Sequence, residues 1–225
     1  MFPGVFTQSC LLCIFLSLTR GQIPNSKIML LDIDFYRRKN VVTIANDLLG
    51  KCLYTRIGGK LTGGMIVETE AYSWKERGCH AYGAKRTPRT EVMFGSGGYA
   101  YVYLCYGMHH LFNIVTNVPG TAEAVLIRAL EPVEGMGAMQ QRRGINRVET
   151  YALTSGPGKL TKALGIDRTF NGKYLLDDEI WLETGITLAR KHIEKSERIG
   201  IDYAGEDAKL PWRFTVKGNP WVSKR

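Results

Sequence analysis

The sequence predicts a single α+β domain with a curved, largely antiparallel β-sheet, flanking helices and one protruding β-hairpin. Its 225 residues are 44% hydrophobic and 23% charged, which is typical of one folded domain with a full core and excludes a disordered chain. Strand-like segments dominate and most are joined by short links, which favours antiparallel pairing. Because no shift in composition interrupts it, the domain is predicted to span residues 28–225.

The first half of this domain is predicted to contain one helix, two paired strands and a long loop. Apolar residues at helical spacing indicate the helix, which Gly50 would end. The two strands flank Gly58 and Gly59, residues that suit a hairpin turn. The loop that follows is polar and basic, and a loop of its length is usually functional. In chain order, these elements are predicted over 34–49, 52–57, 61–72 and 73–90.

The second half is predicted to contain five further strands and two short helices. Tyr106 and Gly107 indicate a turn between the first two of these strands. Pro132 is expected to open one helix, and the glycine-rich turn over 154–160 is expected to lead into the other. The strands are predicted over 99–103, 111–116, 124–129, 179–182 and 214–217.

Residues 1–27 are set apart from the predicted domain as an apolar extension. Their apolar run, 5–18, is too short and interrupted for a transmembrane helix but has the length of a signal-peptide core. No Lys or Arg precedes the run, and Thr19-Arg20-Gly21-Gln22 is a poor cleavage site, which disfavours a signal peptide. A third possibility is that the working chain begins near Met29.

The cysteines indicate the redox environment of the protein. Their number, five, is odd and their spacing suggests no disulfide framework, which favours reduced thiols inside a cell.

The charge balance indicates a polyanionic partner. The chain has 30 Lys and Arg residues against 21 Asp and Glu residues, which gives a net charge of +9. An excess of this size favours nucleic acid as the partner, ahead of a membrane surface. A basic surface that is only solvated stays the alternative.

The first candidate site is the predicted strand with the sequence Val67-Glu68-Thr69-Glu70-Ala71-Tyr72. Alternation along a strand places Glu68, Glu70 and Tyr72 on one face. The simplest interpretation is an exposed face that carries two carboxylates. The functional interpretation is a carboxylate general base beside an aromatic wall, an arrangement that suits the activation of water.

Four tyrosines within eight residues form the second candidate site. Tyr99, Tyr101 and Tyr103 share one face of a predicted strand, and Tyr106 follows at the turn. Core packing of residues that favour strands explains the pattern as well as a functional role does. That role is a stacking platform with a protruding aromatic wedge, which proteins use against unstacked bases.

Cations suited to phosphate groups form the third candidate site. The loop over 73–90 includes Arg86 and Arg89 among its five cations, and Lys159 lies in the glycine-rich turn. These three residues are predicted to contact a phosphate backbone, and a mobile basic surface is the alternative. The four histidines lack the spacing of metal ligands, so no metal site is expected.

These residues, taken together, resemble the alkyladenine (3-methylpurine) DNA glycosylases of the animal and bacterial type. The matching segments run in family order from about Leu31 to the C-terminus, and the ordered set is far more specific than any one segment. They are 66–72, Thr87-Pro88-Arg89, 93–94, 101–103, Tyr106-Gly107-Met108, 113–114, 126–132, Ser155-Gly156-Pro157 and Gly218-Asn219-Pro220-Trp221-Val222-Ser223.

The resemblance implies a role for each matching residue of the site. Glu70 would be the general base that activates the attacking water, with Arg128 beside it to help hold that water and the DNA backbone. Tyr72, His80 and Tyr103 would line the pocket and sandwich a purine flipped out of the duplex. The main-chain N–H of His80 would donate to an acceptor on that base.

Three more residues take implied roles in the pocket and in the duplex. Asn113 would sit under the purine and exclude the amino group of normal guanine. Ile199 would add a pocket contact. Tyr106, at the tip of the protruding hairpin, would insert into the DNA and fill the gap that the flipped nucleotide leaves.

The activity implied by the resemblance is base-excision repair of 3-methyladenine, 7-methylguanine and hypoxanthine in double-stranded DNA. Water activated by Glu70 would hydrolyse the N-glycosidic bond and leave an abasic site. No lysine lies within the motif over 70–72 to form a Schiff base. A monofunctional enzyme with no lyase step, metal or cofactor is therefore expected.

Two alternatives from other classes stay open at this point. A damage-binding protein without catalysis would use the same wedge and basic loop, although a buried carboxylate near DNA phosphates would weaken its binding. A secreted or membrane-surface basic protein is the second alternative, motivated by the apolar run over 5–18. We expect a monomer without a membrane partner that acts inside a cell with the DNA, in a bacterial cytoplasm or nucleoid or in a nucleus.

Overall fold

An eight-stranded antiparallel sheet organises the part of the chain that a computed structural model describes, residues 29–145 and 151–224. The predicted extension over 1–27 lies outside the described residues. The strands are β1 (Cys52–Ile57), β2 (Lys60–Ser73), β3 (Ala100–Cys105), β4 (His109–Val115), β5 (Glu123–Glu134), β6 (Ile180–Glu183), β7 (Ile193–Ser196) and β8 (Arg213–Val216). The α-helices are α1 (Ile33–Tyr36), α2 (Val41–Leu48), α3 (Met136–Arg143) and α4 (Pro157–Leu164). Short 3₁₀ helices cover Tyr82–Ala84, Glu91–Phe94, Tyr151–Leu153, Arg168–Phe170, Arg190–His192 and Asp202–Lys209.

Strand order places the long strands β2 and β5 at the centre of the sheet. The order is β3-β4-β5-β2-β1-β6, with β8 pairing both β2 and β7. On the edge of β2 opposite to β5, β1 pairs with the first half of β2 and β8 pairs with its second half. This confirms the predicted antiparallel α+β domain. It also places the second half of β2, which carries the candidate carboxylates, between β5 and β8.

Two predicted elements differ from the structure, and one strand was missed. The helix over 34–49 is two helices, α1 and α2, because the Asn40 side chain caps α2 by accepting from the Thr43 N–H. Pro132 does not open a helix. It lies within β5 opposite Gly64, next to a register shift where the missing N–H of proline is tolerated, and α3 begins only after Gly135. Strand β7 was not predicted.

Two groups of buried residues hold the sheet and the long loop together. The larger group lies between the sheet and the helices, with Phe112, Ile127 and Leu130 among its fully buried members. The smaller group includes Met93 and Tyr101 and lies under the loop predicted over 73–90. That loop is irregular apart from one 3₁₀ turn and the end of β2, and it is packed onto the sheet at one end of β3 and β4.

In the described part of the chain, no helix has the length and apolar content needed to cross a bilayer.

Candidate active site

Glu70 is held at the centre of the sheet by three donors. Its side chain has no exposed surface. The backbone N–H of Ile199 donates to Glu70 Oε1 at 2.8 Å, and the Tyr72 hydroxyl donates to Oε2 at 2.8 Å. Arg128 donates to the same Oε2 from Nη1 at 3.2 Å. An ionised carboxylate offers about four acceptor positions, so these donors fix its orientation and leave room for one further donor.

A second carboxylate, Glu68, holds Arg128 from the other side. Glu68 is also fully buried, and its Oε1 accepts from Arg128 Nε at 3.0 Å and from Arg213 Nε at 2.7 Å. The backbone N–H and the hydroxyl of Ser223 donate to the same carboxylate. Two carboxylates and two guanidiniums thus balance each other's buried charge. We name the group of Glu68, Glu70, Arg128 and Arg213 the closed end of the site.

The sheet register creates the closed end. Glu68 pairs with Ala129 and Thr69 with Ile127, so Arg128 is the extra residue of a bulge on β5. Bulges redirect side chains, and this one accompanies an arginine that reaches both carboxylates. Arg213, at the start of β8, approaches from the opposite edge of β2. The expectation of an exposed acidic strand face is therefore wrong: both carboxylates are buried, and each meets Arg128.

Burial and neighbouring charges fix the protonation of the groups around Glu70. Burial alone would lower the pKa of Arg128, but the charges of Glu70 and Glu68 outweigh it and raise that pKa. Burial, followed by the charge of Glu70, raises the pKa of Tyr72 well above its ordinary value, so its hydroxyl stays protonated and can donate. Behind the Tyr72 ring lies the Arg198 guanidinium, 4.8 Å from the ring centroid and paired with Glu76 at 2.7 Å.

A cleft of about 660 Å³ opens in front of the closed end. This size is typical of a small-ligand site. Glu70 itself lies behind the cleft wall, to which Arg128 contributes directly. Tyr101, predicted as part of a stacking surface, lines the cleft, whereas sequence reasoning gave no pocket role to the wall residues Met93 and Tyr203. All five residues assigned to the base pocket line the cleft: Tyr72, His80, Tyr103, Asn113 and Ile199.

His80 and Tyr103 form an aromatic part of this wall. Their rings meet edge to face with centroids 4.6 Å apart. His80 Nδ1 is hydrogen-bonded to the Tyr101 hydroxyl at 2.8 Å, and buried Asn113 donates from Nδ2 to the Tyr101 carbonyl at 3.1 Å. Burial and the charge of Arg89 lower the pKa of His80 to about 4, so the imidazole is neutral at physiological pH. These contacts fix the orientation of both rings on the cleft wall.

Some of the predicted cations and tyrosines line the cleft, and others lie outside it. Arg89 and Lys159 line the cleft, whereas Arg86 does not and instead forms an exposed ion pair with Glu91 at 2.6 Å. Arg86 stays a predicted contact to the DNA backbone. Tyr99 does not join the stacking surface, because its ring packs against Tyr174, with centroids 5.0 Å apart.

The tip of the β3–β4 hairpin and the start of α4 form what we name the open end: Tyr106, Met108 and Lys159. Tyr106 is 84% exposed and Met108 is 73% exposed, the two most exposed large apolar side chains of the described residues. Tyr106 has φ +49° and Gly107 has φ +68°, a turn in which a non-glycine residue is strained. Lys159 is exposed, and the start of α4 packs so closely on the hairpin that a side chain on Gly158 would come within 2.9 Å of His109.

The described residues contain neither a cluster of metal-binding side chains nor a disulfide at this site. Across 29–145 and 151–224, no three His, Cys, Asp or Glu side chains converge as a metal site requires. The three described cysteines, Cys52, Cys79 and Cys105, are free thiols. Burial raises the pKa of Cys79 to about 12, so this thiol on the cleft wall is protonated.

Known proteins resemble this chain over nearly all of the described part. The model of a family described as methylpurine-DNA glycosylase matches residues 34–220. A protein of Natranaerobius thermophilus is 45% identical over 197 residues, which cover 87% of this chain and 99% of that protein. One from Carboxydothermus hydrogenoformans is 48% identical over 198 residues, covering 88% and 100%. A third, from Desulfitobacterium hafniense, is 43% identical over 199 residues, covering 84% and 96%. Each carries the name "Putative 3-methyladenine DNA glycosylase".

Proposed function

Because this chain belongs to the methylpurine-DNA glycosylase family, it is a DNA glycosylase whose partner is damaged DNA, and we propose that Glu70 activates the water that releases the damaged purine. The observation that carries the proposal is the state of Glu70. It is a carboxylate with no exposed surface, held by three donors directly behind the wall of a cleft. A side chain that only supported the sheet would not need that position.

The substrate base has to leave the duplex before it can reach this cleft. A sugar carbon inside stacked DNA is inaccessible, and flipping the nucleotide costs about a few kcal/mol, least for a damaged and weakly paired base. Tyr106, exposed at the hairpin tip, would fill the gap left in the duplex. The flipped purine would then lie against Tyr72, His80 and Tyr103.

Hydrolysis would proceed through a sugar cation. The bond between the sugar carbon and the purine nitrogen breaks through an oxocarbenium-like state, as in other glycoside hydrolysis. Glu70 would accept the proton of the attacking water through its remaining acceptor position, and its negative charge would stabilise the sugar cation. Arg128 would hold Glu70 and the water, since it is fixed by Glu68 on its other side.

The substrates that suit this pocket are 3-methyladenine, 7-methylguanine and hypoxanthine. Asn113 is only 4% exposed and is fixed by the Tyr101 carbonyl, so it can exclude the amino group of normal guanine on steric grounds. A water nucleophile rather than an amine makes the enzyme monofunctional. The products would be a free base and an abasic site in an uncut strand.

Single-turnover cleavage of a duplex with one hypoxanthine or one 7-methylguanine tests the proposal. The unaltered protein should produce abasic sites, which become strand breaks only after alkali is added. Glu70→Gln should lower the rate by about 10²- to 10⁴-fold, the usual contribution of a general base, and should keep its affinity for the damaged duplex.

Glu194→Gln is the matched control, because it makes the same chemical change on an exposed strand residue outside the cleft. It should cleave like the unaltered protein. If both the unaltered protein and Glu70→Gln bound damaged duplexes and neither released a base, the catalytic role of Glu70 would be wrong. Strand breaks that appear without alkali would contradict a monofunctional enzyme.

A further inference from the structure

Arg198 is a buried arginine to which the proposed reaction gives no task. Its side chain has no exposed surface, and its guanidinium forms two hydrogen bonds with Glu76, from Nη1 to Oε1 at 2.7 Å and from Nη2 to Oε2 at 2.8 Å. It also donates to the carbonyl oxygens of Ala71 at 3.0 Å and Asp207 at 2.9 Å. Arg198 does not line the cleft, so a contact with DNA does not explain its position.

The contacts of Arg198 join the strand that carries Glu70 to the segment that supplies a donor to it. Ala71, whose carbonyl accepts from Arg198, directly follows Glu70 on β2. Ile199, whose backbone N–H donates to Glu70 Oε1 at 2.8 Å, directly follows Arg198. The segment over 197–201 is irregular and lies outside the strands and helices. The hydrogen bonds of the Arg198 side chain therefore fix where the Ile199 N–H points.

The same guanidinium lies behind Tyr72, another donor to Glu70. Its Cζ is 4.8 Å from the centroid of the Tyr72 ring, and a guanidinium over an aromatic face is attracted by the ring. This contact holds the ring where its hydroxyl donates to Glu70 Oε2 at 2.8 Å. Arg198 thus supports two of the three donors that hold Glu70. The third donor, Arg128, is held by Glu68.

The hydrogen bonds also show which oxygen of Glu70 can take a proton from water. Among the described residues, Oε2 accepts from both Tyr72 and Arg128, whereas Oε1 accepts from the Ile199 N–H. Each carboxylate oxygen has two lone pairs, so the remaining acceptor position is on Oε1. The oxygen that would receive the proton is therefore the one that the Ile199 N–H orients.

Glu76 fixes Arg198 from the loop predicted over 73–90. Glu76 is only 2% exposed, and its Oε2 accepts from the Gly78 N–H at 2.7 Å as well as from Arg198. A bidentate pair of arginine and carboxylate fixes the guanidinium in its plane as well as in distance. Lysine carries the same charge but has no planar fork, so it cannot replace this geometry.

We propose that Arg198 is a positioning residue for the Glu70 carboxylate. By fixing the Ile199 N–H and the Tyr72 ring, it sets the direction of the remaining acceptor position on Oε1. This rests on the proposed function, because it concerns how the proton acceptor is aimed at the attacking water. Arg198 acts through Glu70 and needs no contact with the DNA.

Single-turnover cleavage of a duplex with one 7-methylguanine, measured in a double-variant cycle, tests this proposal. Arg198→Lys should lower the rate by about 10- to 100-fold, the range that a small misplacement of a reacting group costs. Affinity for the damaged duplex should change by less than about 3-fold, because the cleft wall is unaltered. In the Glu70→Gln background, Arg198→Lys should have almost no further effect, since the group that it positions is already gone.

Two further variants serve as controls. Arg142→Lys is matched to Arg198→Lys, because Arg142 is a half-buried arginine that joins Thr62 to the Ala163 carbonyl outside the cleft, and it should cleave like the unaltered protein. Arg198→Met/Glu76→Gln removes both buried charges together, so no charge is left unpaired and the fold is kept. It should show the same loss of rate, and again almost no further loss beside Glu70→Gln.

Two results would show that Arg198 supports only the fold. One is a folded Arg198→Lys protein that cleaves at the unaltered rate. The other is an equal loss of rate with Glu70 and with Glu70→Gln. Both would leave the proposed function standing, because that function depends on the loss caused by Glu70→Gln alone. If Glu70→Gln alone kept the full rate, the proposed function would be wrong and Arg198 would have no base to position.

Discussion

At the closed end of the cleft, Glu68 and Glu70 have no exposed surface, whereas at the open end Tyr106 is 84% exposed. The closed end is held by hydrogen bonds from its own chain, through two arginines, a tyrosine and two backbone N–H groups. The open end instead presents a strained turn, two large apolar side chains and a lysine to solvent.

Under the proposed function, this difference separates two tasks, the attack on the glycosidic bond and the insertion into the duplex. Buried charges are costly to remove from water and persist only when they are paired, so the closed end is a region where position is fixed before DNA binds. Exposed apolar groups and backbone strain cost stability and are kept where a partner will use them. The closed end suits chemistry that needs a fixed base, and the open end suits insertion into a duplex.

The largest effect is expected at the closed end from Glu68→Gln. This change leaves Arg128 and Arg213 with a single buried carboxylate between them, which should lower the free energy of unfolding by about 3–5 kcal/mol. Arg128 should then shift from Glu70, and the single-turnover rate should fall in protein that is still folded while affinity for the duplex is retained. Urea unfolding and single-turnover cleavage measure the two effects.

The double variant Glu68→Gln/Arg213→Gln is the matched control, because it restores the balance of buried charge. It should recover part of the lost stability without recovering the full rate. A folded Glu68→Gln protein that cleaved at the rate of the unaltered one would mean that Glu68 supports the sheet and does not position Arg128.

A smaller effect is expected on the cleft wall between the two ends, where His80 is buried and neutral. Its pKa falls from 6.5 in the unfolded chain to about 4, so the folded state disfavours the proton. The contribution to stability is fully present above pH 6.5 and is lost as the pH falls towards 4. At about 1.36 kcal/mol for each pKa unit, the loss is at most about 3 kcal/mol.

Urea unfolding of the unaltered protein and of His80→Gln across this pH range measures that contribution. Other carboxyl groups titrate in both proteins, so the difference between the two curves isolates His80. The unaltered protein should lose more stability on acidification than the variant does. Parallel curves would mean that His80 is protonated as easily in the folded protein as in water.

The elements that could be predicted from the sequence are those set by local chemistry. Alternation and paired glycines predicted β1, β2 and the turn between them, and Tyr106 with Gly107 predicted the hairpin tip. The break between α1 and α2 was missed because it depends on one capping side chain, that of Asn40. The prediction from Pro132 was wrong because this proline pairs with Gly64 of β2 beside a register shift, where a residue without an N–H is tolerated in a strand.

From the residues alone, the site could be predicted only where its members lie on one strand. Strand alternation predicted that Glu68 and Glu70 share one face, and the resemblance to a family predicted the aromatic residues of the base pocket. The partners of Glu68 were missed because Arg213 and Ser223 come from β8 and the C-terminal segment, which meet β2 only through the sheet register. The pairing of Arg198 with Glu76 depends on how an irregular loop folds, and no periodic signal reports that.

The smallest of these effects is expected at the open end from Tyr106→Asn. Asparagine tolerates the left-handed backbone conformation that Tyr106 adopts with φ +49°, so stability should be unchanged or higher by about 1 kcal/mol. The aromatic ring that would fill the duplex is lost, and single-turnover cleavage should fall by about 10-fold because the flipped state is less populated. Tyr106→Phe, which keeps the ring, should lose several-fold less of the cleavage rate.

Thermal unfolding and single-turnover cleavage, measured on the same Tyr106→Asn protein, should show stability that is kept or raised and a cleavage rate that falls. Glu68→Gln, by contrast, should lower both. A Tyr106→Asn protein that lost stability and kept its rate would remove the functional distinction between the two ends.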